Sequence, residues 1–519
     1  MTTYYMRADG TAANKGAATG PGATQANCMN VSVHNAETFS AGDVIKICDD
    51  GGIFRETITP PSSGSAGNPI TYEPEAGDAP KAYGSAQLSS WTDEGGNLWY
   101  ASYASEPDTV WFQNTNGTIY WGKSEATKGA LDAEYDWWFD DPNDRIYCYA
   151  ASDPDSRYTS VEASVRANAF FASTKTYITL DGLEVAFCCA SHDADGVYFW
   201  NADGAIVKNC YGHHNGELIS GDPMGNGVDV RNSDGALIQD NICYENARRG
   251  IVCYAQTSQT MDDAIVERNI CYDNHHSQFD FFMLSDGITF DGLVFRRCLG
   301  YLSGTYGTYG EATNATGCNF SGPGAVSELR ITNATICYNV FYEMRGDGCI
   351  VINMTCNGIN IYNNVCYGFF AGSSYAPGID IRTDRVTNIT IKNNIAMDNV
   401  GGCLRVAEAA DVVICENNCW YHSTPTTGVY VQVVSTEYHS DDQVAYQAAT
   451  GWDDVGLWED PQMLDPANDD FHLQSDSPCI EAGTLIAGLS IDYDGIPLGR
   501  GTNPDIGCYE TLKGGPRNI

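Results

Sequence analysis

The chain has 519 residues, of which 67 are Asp or Glu and 27 are Lys or Arg, so its formal net charge is −40 and its pI is about 4.2. This charge repels phosphate backbones, and we expect no nucleic-acid partner. A hydrophobic fraction of 43% with 31 Tyr, 18 Phe and 10 Trp is enough for an extended core and excludes a disordered chain. Because no run of about 18 apolar residues occurs, we also expect no membrane span.

Twenty cysteines are spread over the chain, and many of them lie inside apolar, strand-like runs. No CxxC motif occurs, and the adjacent Cys188 and Cys189 have no partner pair, so we expect buried, reduced thiols and no zinc site. Whether Cys28 and Cys48 form a disulfide stays open. The N-terminus, MTTYYMRADGTAANKG, has no basic segment followed by an apolar one, and we expect either a removed signal or synthesis in the cytosol.

The predicted elements begin with a short helix in the segment 23–39, ATQANCMNVSVHNAETF. Further along the chain, residues 90–172 interrupt the repeat described below and predict a Trp-rich β subdomain. Its tryptophans either stack on sugar rings or form the core of a small insert, and the second interpretation is favoured because large aromatic side chains are more often packed than displayed. The six tryptophans are Trp91, Trp99, Trp111, Trp121, Trp137 and Trp138.

From residue 178 to about 433 the chain repeats one phrase: an apolar strand, a polar pair, an Asn, a small or apolar residue and an aromatic residue. A second phrase, Gly followed by alternating aliphatic residues, falls between these. Two or more short period-two strands in each repeat of 20–50 residues indicate a β-solenoid. The interval from Cys298 to Asn339 is longer than the other repeats, and we attribute the extra residues to a Gly/Thr/Ser-rich loop over 303–327. The aligned positions are Asn241, Asn269, Cys298, Asn339, Asn364, Asn394 and Asn418.

Three stretches resemble the right-handed parallel β-helix, pectin-lyase-like superfamily: ITLDGLEV at 178, the repeated NN-x-CY phrases, and DFHLQSDSPCIEAG with DYDGIPLGRGTNPDIGCYE towards the C-terminus. The resemblance implies an all-β, right-handed parallel β-helix (solenoid) with an N-terminal capping helix, a Trp-rich β insert and a C-terminal cap. The superfamily includes lyases, hydrolases, epimerases, phage tailspikes and inert scaffolds, so the fold does not identify the chemistry. The expected parts are the N-terminal cap and first coils (1–89), the insert (90–172), the central coils (173–435), and the C-terminal coils and cap (436–519).

Several columns of the repeat are predicted to be structural. Stacked Asn side chains at an inward turn satisfy one another and the turn backbone, which predicts a buried Asn ladder. Residues two positions before the Asn column point outward and predict a solvated ladder of mixed charge. The cysteines expected to act as small buried fillers are Cys210, Cys243, Cys271 and Cys366, and the outward residues are Gln239, Glu267, Arg296, Lys392 and Glu416.

Chemistry is expected on the outward face of the Gly-aliphatic strands between 192 and 282, where five of the nine histidines lie. Alternation places Val228 and Val230 inward and Asp229 outward to solvent. Asp195 lies one coil earlier, and because each coil advances about 4.8 Å, the two carboxylates are expected about 5–9 Å apart, as in glycosidases. The predicted catalytic residues are Asp195, Asp229 and Glu217, and the predicted substrate-binding residues are His213, His214, Arg248, Arg249, His275, His276 and Asp280.

Two further observations bear on this hypothesis. Asp193 and Asp222 lie in the same segments, but with 67 acids on the chain, chance clustering and Asp-Gly turns are a competing interpretation. No cofactor and no metal are predicted; a Ca²⁺ role for HDADG at 192 is weakly supported because the other ligands of a 12-residue loop are missing.

Three functions fit the sequence. The first is a phage tailspike-like protein of the virion tail, assembled in the host cytoplasm, that binds a bacterial surface polysaccharide with or without depolymerising it. It implies other phage tail proteins as partners and a homotrimer, although neither a particle-binding domain nor a trimerising stalk is recognisable. The second is an exported bacterial polysaccharide lyase or glycoside hydrolase. The third is a non-catalytic β-helical adhesin or fibre subunit at the cell surface, although KGGPRNI at the C-terminus shows no sorting signal.

Overall fold

A computed structural model describes residues 1–19, 24–190, 194–218, 224–256, 259–284, 288, 290–302, 315–322, 331–344, 346–369, 376–408, 412–424, 428–498 and 501–511. Short strands stack in parallel into three long sheets, A, B and C, that enclose an apolar core in this part of the chain. A representative coil contributes Leu237–Gln239 to sheet A, Ile242–Tyr244 to sheet B and Arg249–Ala255 to sheet C. The structure is therefore the parallel β-helix that the repeat predicts.

The strands of each sheet follow one another in chain order. Sheet A contains Thr3–Arg7, Val44–Cys48, Ile70–Pro74, Ile178–Asp181, Ile206–Lys208, Leu237–Gln239, Ile265–Glu267, Val294–Arg296, Thr335–Cys337, Asn360–Tyr362, Ile389–Lys392 and Val412–Glu416. Sheet B contains Lys81–Tyr83, Glu184–Ala186, Tyr211–His213, Ile242–Tyr244, Ile270–Tyr272, Leu299–Tyr301, Val340–Met344, Val365–Phe369, Ile395–Met397 and Cys419–Tyr421.

Sheet C has the longest strands of the three sheets, and its last two strands pair antiparallel. It contains Asn168–Ser173, Asp195–Trp200, Asn226–Arg231, Arg249–Ala255, Ser277–Met283, Thr316–Ser321, Ile350–Ile352, Ile379–Ile381, Leu404–Val406, Val431–Val433 and Thr436–Tyr438. A small sheet D between sheets C and A contains Phe290–Asp291, Ile331–Thr332, Cys356–Asn357 and Val386–Thr387.

The core follows from the two-residue period of the strands, because alternate side chains point into the solenoid. Val228 and Val230 are fully buried in it, as the sequence predicts. Aromatic rings fill the middle coils: the ring of Phe281 lies 5.2 Å from that of Phe295 and 5.0 Å from that of Phe320. Stacking like residues at one register position gives each coil the same cross-section as the next.

The Asn ladder is confirmed at the turn from sheet A to sheet B. Asn364 donates from Nδ2 to Oδ1 of Asn394 at 2.9 Å, and Asn394 donates in the same way to Asn418 at 3.0 Å. The last amide, of Asn418, donates to Oδ1 of the buried Asp453 at 2.9 Å. A second ladder at the turn after sheet B joins Asn215, Asn246 and Asn274, which the sequence analysis did not identify.

The N-terminal segment contains the helix Val31–Ala36, which packs against the first strand of sheet A. Asn30 caps this helix by accepting a hydrogen bond from the backbone N–H of Val33 at 2.9 Å. His34 belongs to this helix and is buried on its inner side, with Nε2 3.0 Å from the hydroxyl of Tyr72. Along the rest of the described chain, single 3-10 turns occur at Lys15–Ala17, Gln25–Asn27, Lys128–Ala130, Asp141–Asn143 and Pro466–Asn468.

The C-terminal part closes the solenoid and then turns back along it. The helix Gln443–Thr450 covers the last coil and buries Tyr446 completely. A hairpin of Met463–Asp465 and Asp470–Leu473 packs against the outer face of sheet B. Among the described residues after 438, none adds a strand to sheets A, B or C beyond Thr436–Tyr438, so this part is a cap where further coils were expected.

The Trp-rich insert interrupts one coil, between Lys81–Tyr83 of sheet B and Asn168–Ser173 of sheet C. Residues 168–172, predicted to be part of the insert, belong to the first strand of sheet C, Asn168–Ser173. The insert has two sheets and a helical turn at Pro154–Arg157. One sheet contains Lys123–Ser124, Asp136–Asp140, Arg145–Tyr149, Leu98–Ser102 and Thr92–Gly95, and the other contains Ser85–Leu88, Tyr158–Ser164, Val110–Asn114 and Ile119–Trp121.

The tryptophans of the insert are packed rather than displayed. Trp91 and Trp137 lie in the insert's own core, while Trp111 and Trp121 pack against Phe187 of the β-helix. The remaining two, Trp99 and Trp138, are half-buried. This distribution supports the interpretation of the tryptophans as core residues.

Two other sequence expectations change or gain detail. The proposed loop 303–327 contains a strand of sheet C, Thr316–Ser321, whose Gly317-Cys318 matches the Gly-aliphatic phrase; the segments 303–314 and 323–327 lie outside the described residues. All twenty cysteines are described, and each is buried and carries a free thiol, Cys28 and Cys48 included. No described helix is long and apolar enough to cross a membrane.

Candidate functional site

The outer face of sheet C carries polar and charged side chains in register from coil to coil. The parallel pairing aligns three outward columns, and each column changes residue type at every coil. The first is Asn168, Asp195, Asn226, Arg249, Ser277 and Thr316. The second is Phe171, Tyr198, Asp229, Val252, Asp280, Asn319, Val351, Asp380, Arg405 and Gln432. The third is Ser173, Trp200, Arg231, Tyr254, Phe282 and Ser321.

Two predicted catalytic carboxylates meet on this face. Nδ2 of Asn226 lies 2.7 Å from Oδ1 of Asp195 and 3.3 Å from Oδ2 of Asp229. Because both oxygens contact the same nitrogen, they are at most about 6 Å apart. Arg231 binds Asp229 through Nε and Nη2, and its Nη2 is 3.8 Å from Oδ2 of Asp195. We call these four residues, Asp195, Asn226, Asp229 and Arg231, the acid cluster.

The acid cluster is buried although it faces away from the core. Asp195 is 0% exposed and Asp229 is 1% exposed, so the expectation that Asp229 reaches solvent is wrong. Arg231 lies across the carboxylates, and its guanidinium carbon is 4.8 Å from the ring centres of both Tyr198 and Tyr254. Burial alone would lower the pKa of Arg231, but Asp229 and Asp195 outweigh it and raise the pKa.

The next coils repeat the pairing of acid with arginine. Arg249 forms an ion pair with the fully buried Asp280, and the hydroxyl of Ser321 donates to Oδ1 of Asp280 at 3.0 Å. Further along the same column, Asp380 binds Arg382 at 2.8 Å and Arg405 at 2.7 Å. Buried ion pairs cost desolvation energy and add little net stability, so a row of them on an outward face suggests a role besides folding.

Aromatic rings line the acid cluster on both sides along the solenoid axis. Phe171 and Tyr198 stack with their centres 5.2 Å apart, and Tyr254 and Phe282 are 5.0 Å apart. Trp200, in the strand before Arg231, is 36% exposed and is the largest exposed ring of the described part of this face. Exposed aromatic rings next to polar groups suit ligands with both apolar and hydroxylated faces.

The histidines His213 and His214 lie elsewhere, at the end of a sheet B strand under the insert. Their Nδ1 atoms are 3.0 Å apart, and Trp121 stacks on His214 at 5.9 Å. Nε2 of His214 is 2.6 Å from Glu245 and Nε2 of His213 is 3.5 Å from Glu184. Both imidazoles are buried, so they support the docking of the insert and are not displayed for substrate.

The carboxylates beside these histidines are held in the ionised form. Burial favours the neutral form of Glu184, but His213 and Lys81 outweigh it and lower its pKa to about 2. Burial lowers the pKa of His213, and this effect outweighs the opposing effect of Glu184. For Glu245, burial is likewise outweighed by His214, and its pKa is lowered.

The remaining predicted residues do not join the acid cluster. Glu217 is half-buried, and burial together with the charge of Asp108 raises its pKa. Nη1 of Arg248 lies 3.3 Å from Sδ of Met224. His275 and His276 are half-buried, and desolvation lowers the pKa of each to about 4. Asp193 and Asp222 lie outside the described residues.

Sequence reasoning missed Asn226 and Arg231, which bridge and cover the two acids. Both belong to the same strand as Asp229. Arg231 is two residues after Asp229, so the period-two pattern contained its signal, whereas Asn226 is three residues before Asp229 and strict alternation would place it inward. It also missed Glu184 and Glu245, because their partner histidines were assigned to a substrate surface. No group of three or more His, Cys, Asp or Glu side chains in the described part of the chain is arranged to hold a metal ion.

Comparison with known proteins supports the fold. Residues 146–327 match the family model described as a right-handed β-helix region. The structure of XylC in complex with xylose has a TM-score of 0.56 and 12% sequence identity, and the alignment covers 99% of each chain. Pectate lyase Pel9A has a TM-score of 0.55 and 16% identity over 99% of this chain and 97% of that one. No curated protein matches by sequence. The fold is the right-handed parallel β-helix.

Proposed function

We propose that the protein binds a polysaccharide along the outer face of sheet C and hydrolyses it with Asp195 and Asp229. The observation that carries the proposal is the separation of these carboxylates, at most about 6 Å, which fits the acid and nucleophile of a retaining glycosidase. The aromatic rings beside the acid cluster supply surfaces for sugar rings. The two solved structures named above, a xylose complex and a pectate lyase, add support for a carbohydrate substrate.

The contacts of the two acids suggest different roles. Asp229 is held by two nitrogens of Arg231, a geometry that suits an ionised nucleophile and makes a poor proton donor. Asp195 contacts the neutral amide of Asn226 and lies farther from the guanidinium, which suits the general acid. Arg231 has to swing off the carboxylates to admit a sugar, and its guanidinium then can bind the hydroxyls of the bound chain.

A second candidate function is binding without cleavage. The observation that favours it is the burial of both carboxylates, 0% and 1% exposed, together with the ion pairing of Asp229. In this form the Asp-Arg pairs hold the outer face rigid and the exposed Trp200 contacts the glycan, as in an adhesin or a non-catalytic fibre subunit.

The biological setting is part of the proposal. We place the protein in a phage tail as a tailspike-like fibre directed at a bacterial surface polysaccharide, assembled as a homotrimer with other tail proteins. The free, buried thiols support assembly in a reducing cytoplasm. An exported lyase or hydrolase acting outside the cell is the alternative setting. Light scattering of the purified protein tests the trimer, and a monomer in solution contradicts it.

The test is turnover of bacterial capsular and O-antigen polysaccharides, with xylan and polygalacturonate as reference substrates. Reducing ends report hydrolysis, ultraviolet absorbance of unsaturated uronates reports a lyase, and proton NMR of the first product reports its anomeric configuration. We expect hydrolysis with retention, and a loss of at least about 100-fold in Asp229→Asn and Asp195→Asn.

Asp380→Asn is the matched control, because it also breaks a buried Asp-Arg contact on the same column. It lies five coils away, about 24 Å along the axis at about 4.8 Å per coil, and we expect unchanged turnover. Full activity in both Asp variants, inversion of configuration, or unsaturated products overturns the proposed mechanism. No turnover in the wild type, with weaker adsorption in Trp200→Ala, identifies the binding-only function instead.

A further inference from the structure

A cleft of about 430 Å³ opens where the insert meets the first coils of the β-helix, and none of its lining residues belongs to the acid cluster. One wall comes from the first coils and includes Asp49, Ile53 and Arg55. The other wall comes from the four-stranded sheet of the insert and includes Gln113 and Glu162. This volume lies within the range of about 300–1,000 Å³ that small-molecule sites occupy.

The cleft is held open by a rigid ion pair. Arg55 binds both carboxylate oxygens of Glu162, at 2.7 and 3.0 Å, and Ser85 donates to the same carboxylate at 2.7 Å. The side chain of Glu162 is only 1% exposed. These contacts join the insert to the solenoid and fix the spacing of the two walls, so the cleft is preorganised for a ligand.

The charges that line the cleft are already paired. Arg55 is neutralised by Glu162, and Lys81 is neutralised by Glu184 at 2.9 Å. A strongly anionic ligand would have to compete with these carboxylates and with the acidic Asp49 on the rim. The lining therefore selects against acidic ligands.

What the lining does offer is neutral hydrogen-bonding groups. Gln87, Gln113, Thr159 and Ser160 line the cleft. The hydroxyl of Thr159 donates to the carbonyl of Asn114 at 3.2 Å and that of Ser160 to Oε1 of Gln113 at 3.4 Å, so these two hydroxyls offer their oxygens as acceptors. In the described contacts, the Nε2 amides of both glutamines and Nε–H of Arg55 are not engaged by another side chain. Ile53 and Tyr83 add an apolar part of the wall. Donors and acceptors on one side and an apolar surface on the other are complementary to a sugar ring, which has hydroxyls at its edge and C–H groups on its face.

We propose that this cleft is a second, non-catalytic binding site for a neutral saccharide. Binding in this cleft does not require the acid cluster, whose residues lie on the sheet C strands Asp195–Trp200 and Asn226–Arg231. A site on the same rigid body as the acid cluster keeps a long glycan near the sheet through two-point attachment, which raises its effective concentration there.

Saturation-transfer NMR and calorimetry test the proposal on the full chain, with glucose, galactose, xylose and N-acetylglucosamine as neutral probes and galacturonate as the acidic one. The background is Asp229→Asn, so that no probe is turned over. We expect at least one neutral sugar to bind, and the double variant Gln87→Leu/Gln113→Leu to weaken that binding by at least about tenfold, which corresponds to about 1.4 kcal/mol.

Two controls separate this site from the acid cluster. Gln239→Leu, on the outer face of sheet A, removes an amide of the same type outside the cleft and is expected to bind like the parent. Trp200→Ala removes the exposed ring beside the acid cluster and reports any sugar bound there, and the binding that depends on Gln87 and Gln113 is expected to persist in it. Binding of none of the neutral probes, preference for galacturonate, or loss of binding in Trp200→Ala but not in the glutamine variant overturns the proposal. These readouts do not involve turnover, so they stand whether or not the acid cluster proves catalytic.

Discussion

From the strand Ile178–Asp181 onwards, each passage from sheet A to sheet B has one residue in the left-handed region and places the next side chain inside the turn. The left-handed residue is Asp240 (φ 56°) in one coil and Asn363 (φ 52°) in another, and the following residue is the ladder asparagine. Asn and Asp tolerate this backbone region better than most residues, which explains the polar pair of the repeat. The ladder amide then satisfies backbone groups that the turn leaves buried.

Asn364→Leu tests the energetic weight of one ladder position. The side chain is fully buried and donates to Asn394, to the carbonyl of Ile336 and to that of Tyr362, while its Oδ1 accepts from the backbone and amide of Asn339. Leucine leaves these groups buried without partners, so we expect the free energy of unfolding to fall by about 1–3 kcal/mol. Denaturant unfolding followed by circular dichroism measures the loss.

The chain supplies its own control for this substitution. Cys298 occupies one position of the ladder and still receives the amide of Asn269 on its sulfur, at 3.8 Å. Asn364→Cys is therefore expected to cost less than Asn364→Leu, because the thiol keeps a weak acceptor at the turn. Equal stability of the wild type and Asn364→Leu would contradict the energetic role of the ladder.

The Asn ladder could be predicted from the sequence, because the Asn column recurs at nearly constant intervals. The sequence did not predict Asp453, which ends the ladder: this residue is distant in sequence and belongs to no repeat, and only the C-terminal cap brings it to Asn418. It likewise could not predict the cover over Asp229, because alternation gives the direction of a side chain but not what packs above it.

Glu510 provides a second residue-scale prediction. Burial, with the charges of Asp505 and Asp492, raises its pKa from 4.5 to about 7. The folded state then binds a proton more tightly than the unfolded state, so the contribution of Glu510 to stability is present below about pH 4.5 and is lost as the pH rises through 7. Glu510→Gln removes the ionisable group, so this pH-dependent loss of stability does not occur in the variant.

We expect the variant to gain stability relative to the wild type between pH 5 and pH 8, by up to about 1 kcal/mol after allowance for solvent screening at this half-buried site. Melting temperatures across this pH range measure the difference. The exposed Glu437→Gln is the control and is expected to show no such trend. A pH-independent difference for Glu510→Gln would contradict the raised pKa.

At the scale of elements, hydrogen bonds such as that from the hydroxyl of Thr109 to the carbonyl of Gly216 join the insert to the solenoid, together with two larger contacts. One is the Arg55–Glu162 ion pair, and the other is an aromatic patch in which Trp111 and Trp121 meet Phe187 and His214. The sequence located the insert through its tryptophans but set its end too late. The strand 168–173 reads NAFFAS and lacks the Gly-aliphatic phrase, so nothing local marked the return to sheet C.

Trp121→Ala tests the aromatic docking contact. Trp121 is 8% exposed and stacks on His214, so its removal leaves a gap between the insert and sheet B. We expect amide exchange in Val110–Asn114 and Tyr211–His213 to become at least about tenfold faster, while exchange in the central coils does not change. Hydrogen-exchange mass spectrometry measures both regions in one experiment.

Trp138→Ala is the control for ring removal within the insert. Trp138 is half-buried and packs on Tyr147 at 5.6 Å, in the sheet that does not touch the histidines. We expect faster exchange in Asp136–Asp140 alone. Equal protection of Tyr211–His213 in the wild type and in Trp121→Ala would show that the insert is held by the ion pair without the aromatic patch.

At the scale of the whole molecule, one solenoid core runs from the N-terminal helix to the C-terminal cap, and cysteines are distributed along it. Small thiols fit where a coil has no room for a larger side chain, and they are unreactive there for two reasons. Reagents cannot reach them, and burial disfavours the reactive thiolate: it raises the pKa of Cys210 and of Cys298 to about 12.

Thiol titration of the intact protein tests this arrangement. We expect no fast reaction of the native chain with an aromatic disulfide reagent and reaction of all twenty thiols after unfolding in guanidinium. Val413→Cys, at a position 59% exposed on the last strand of sheet A, is the control and is expected to add one fast-reacting thiol to the folded protein. Mass spectrometry of the unfolded, alkylated chain then counts disulfides. Fast reaction of several native thiols would contradict a core that is closed to reagents at both ends of the solenoid. Several disulfides would contradict assembly in a reducing compartment and would favour the exported enzyme over the tail fibre.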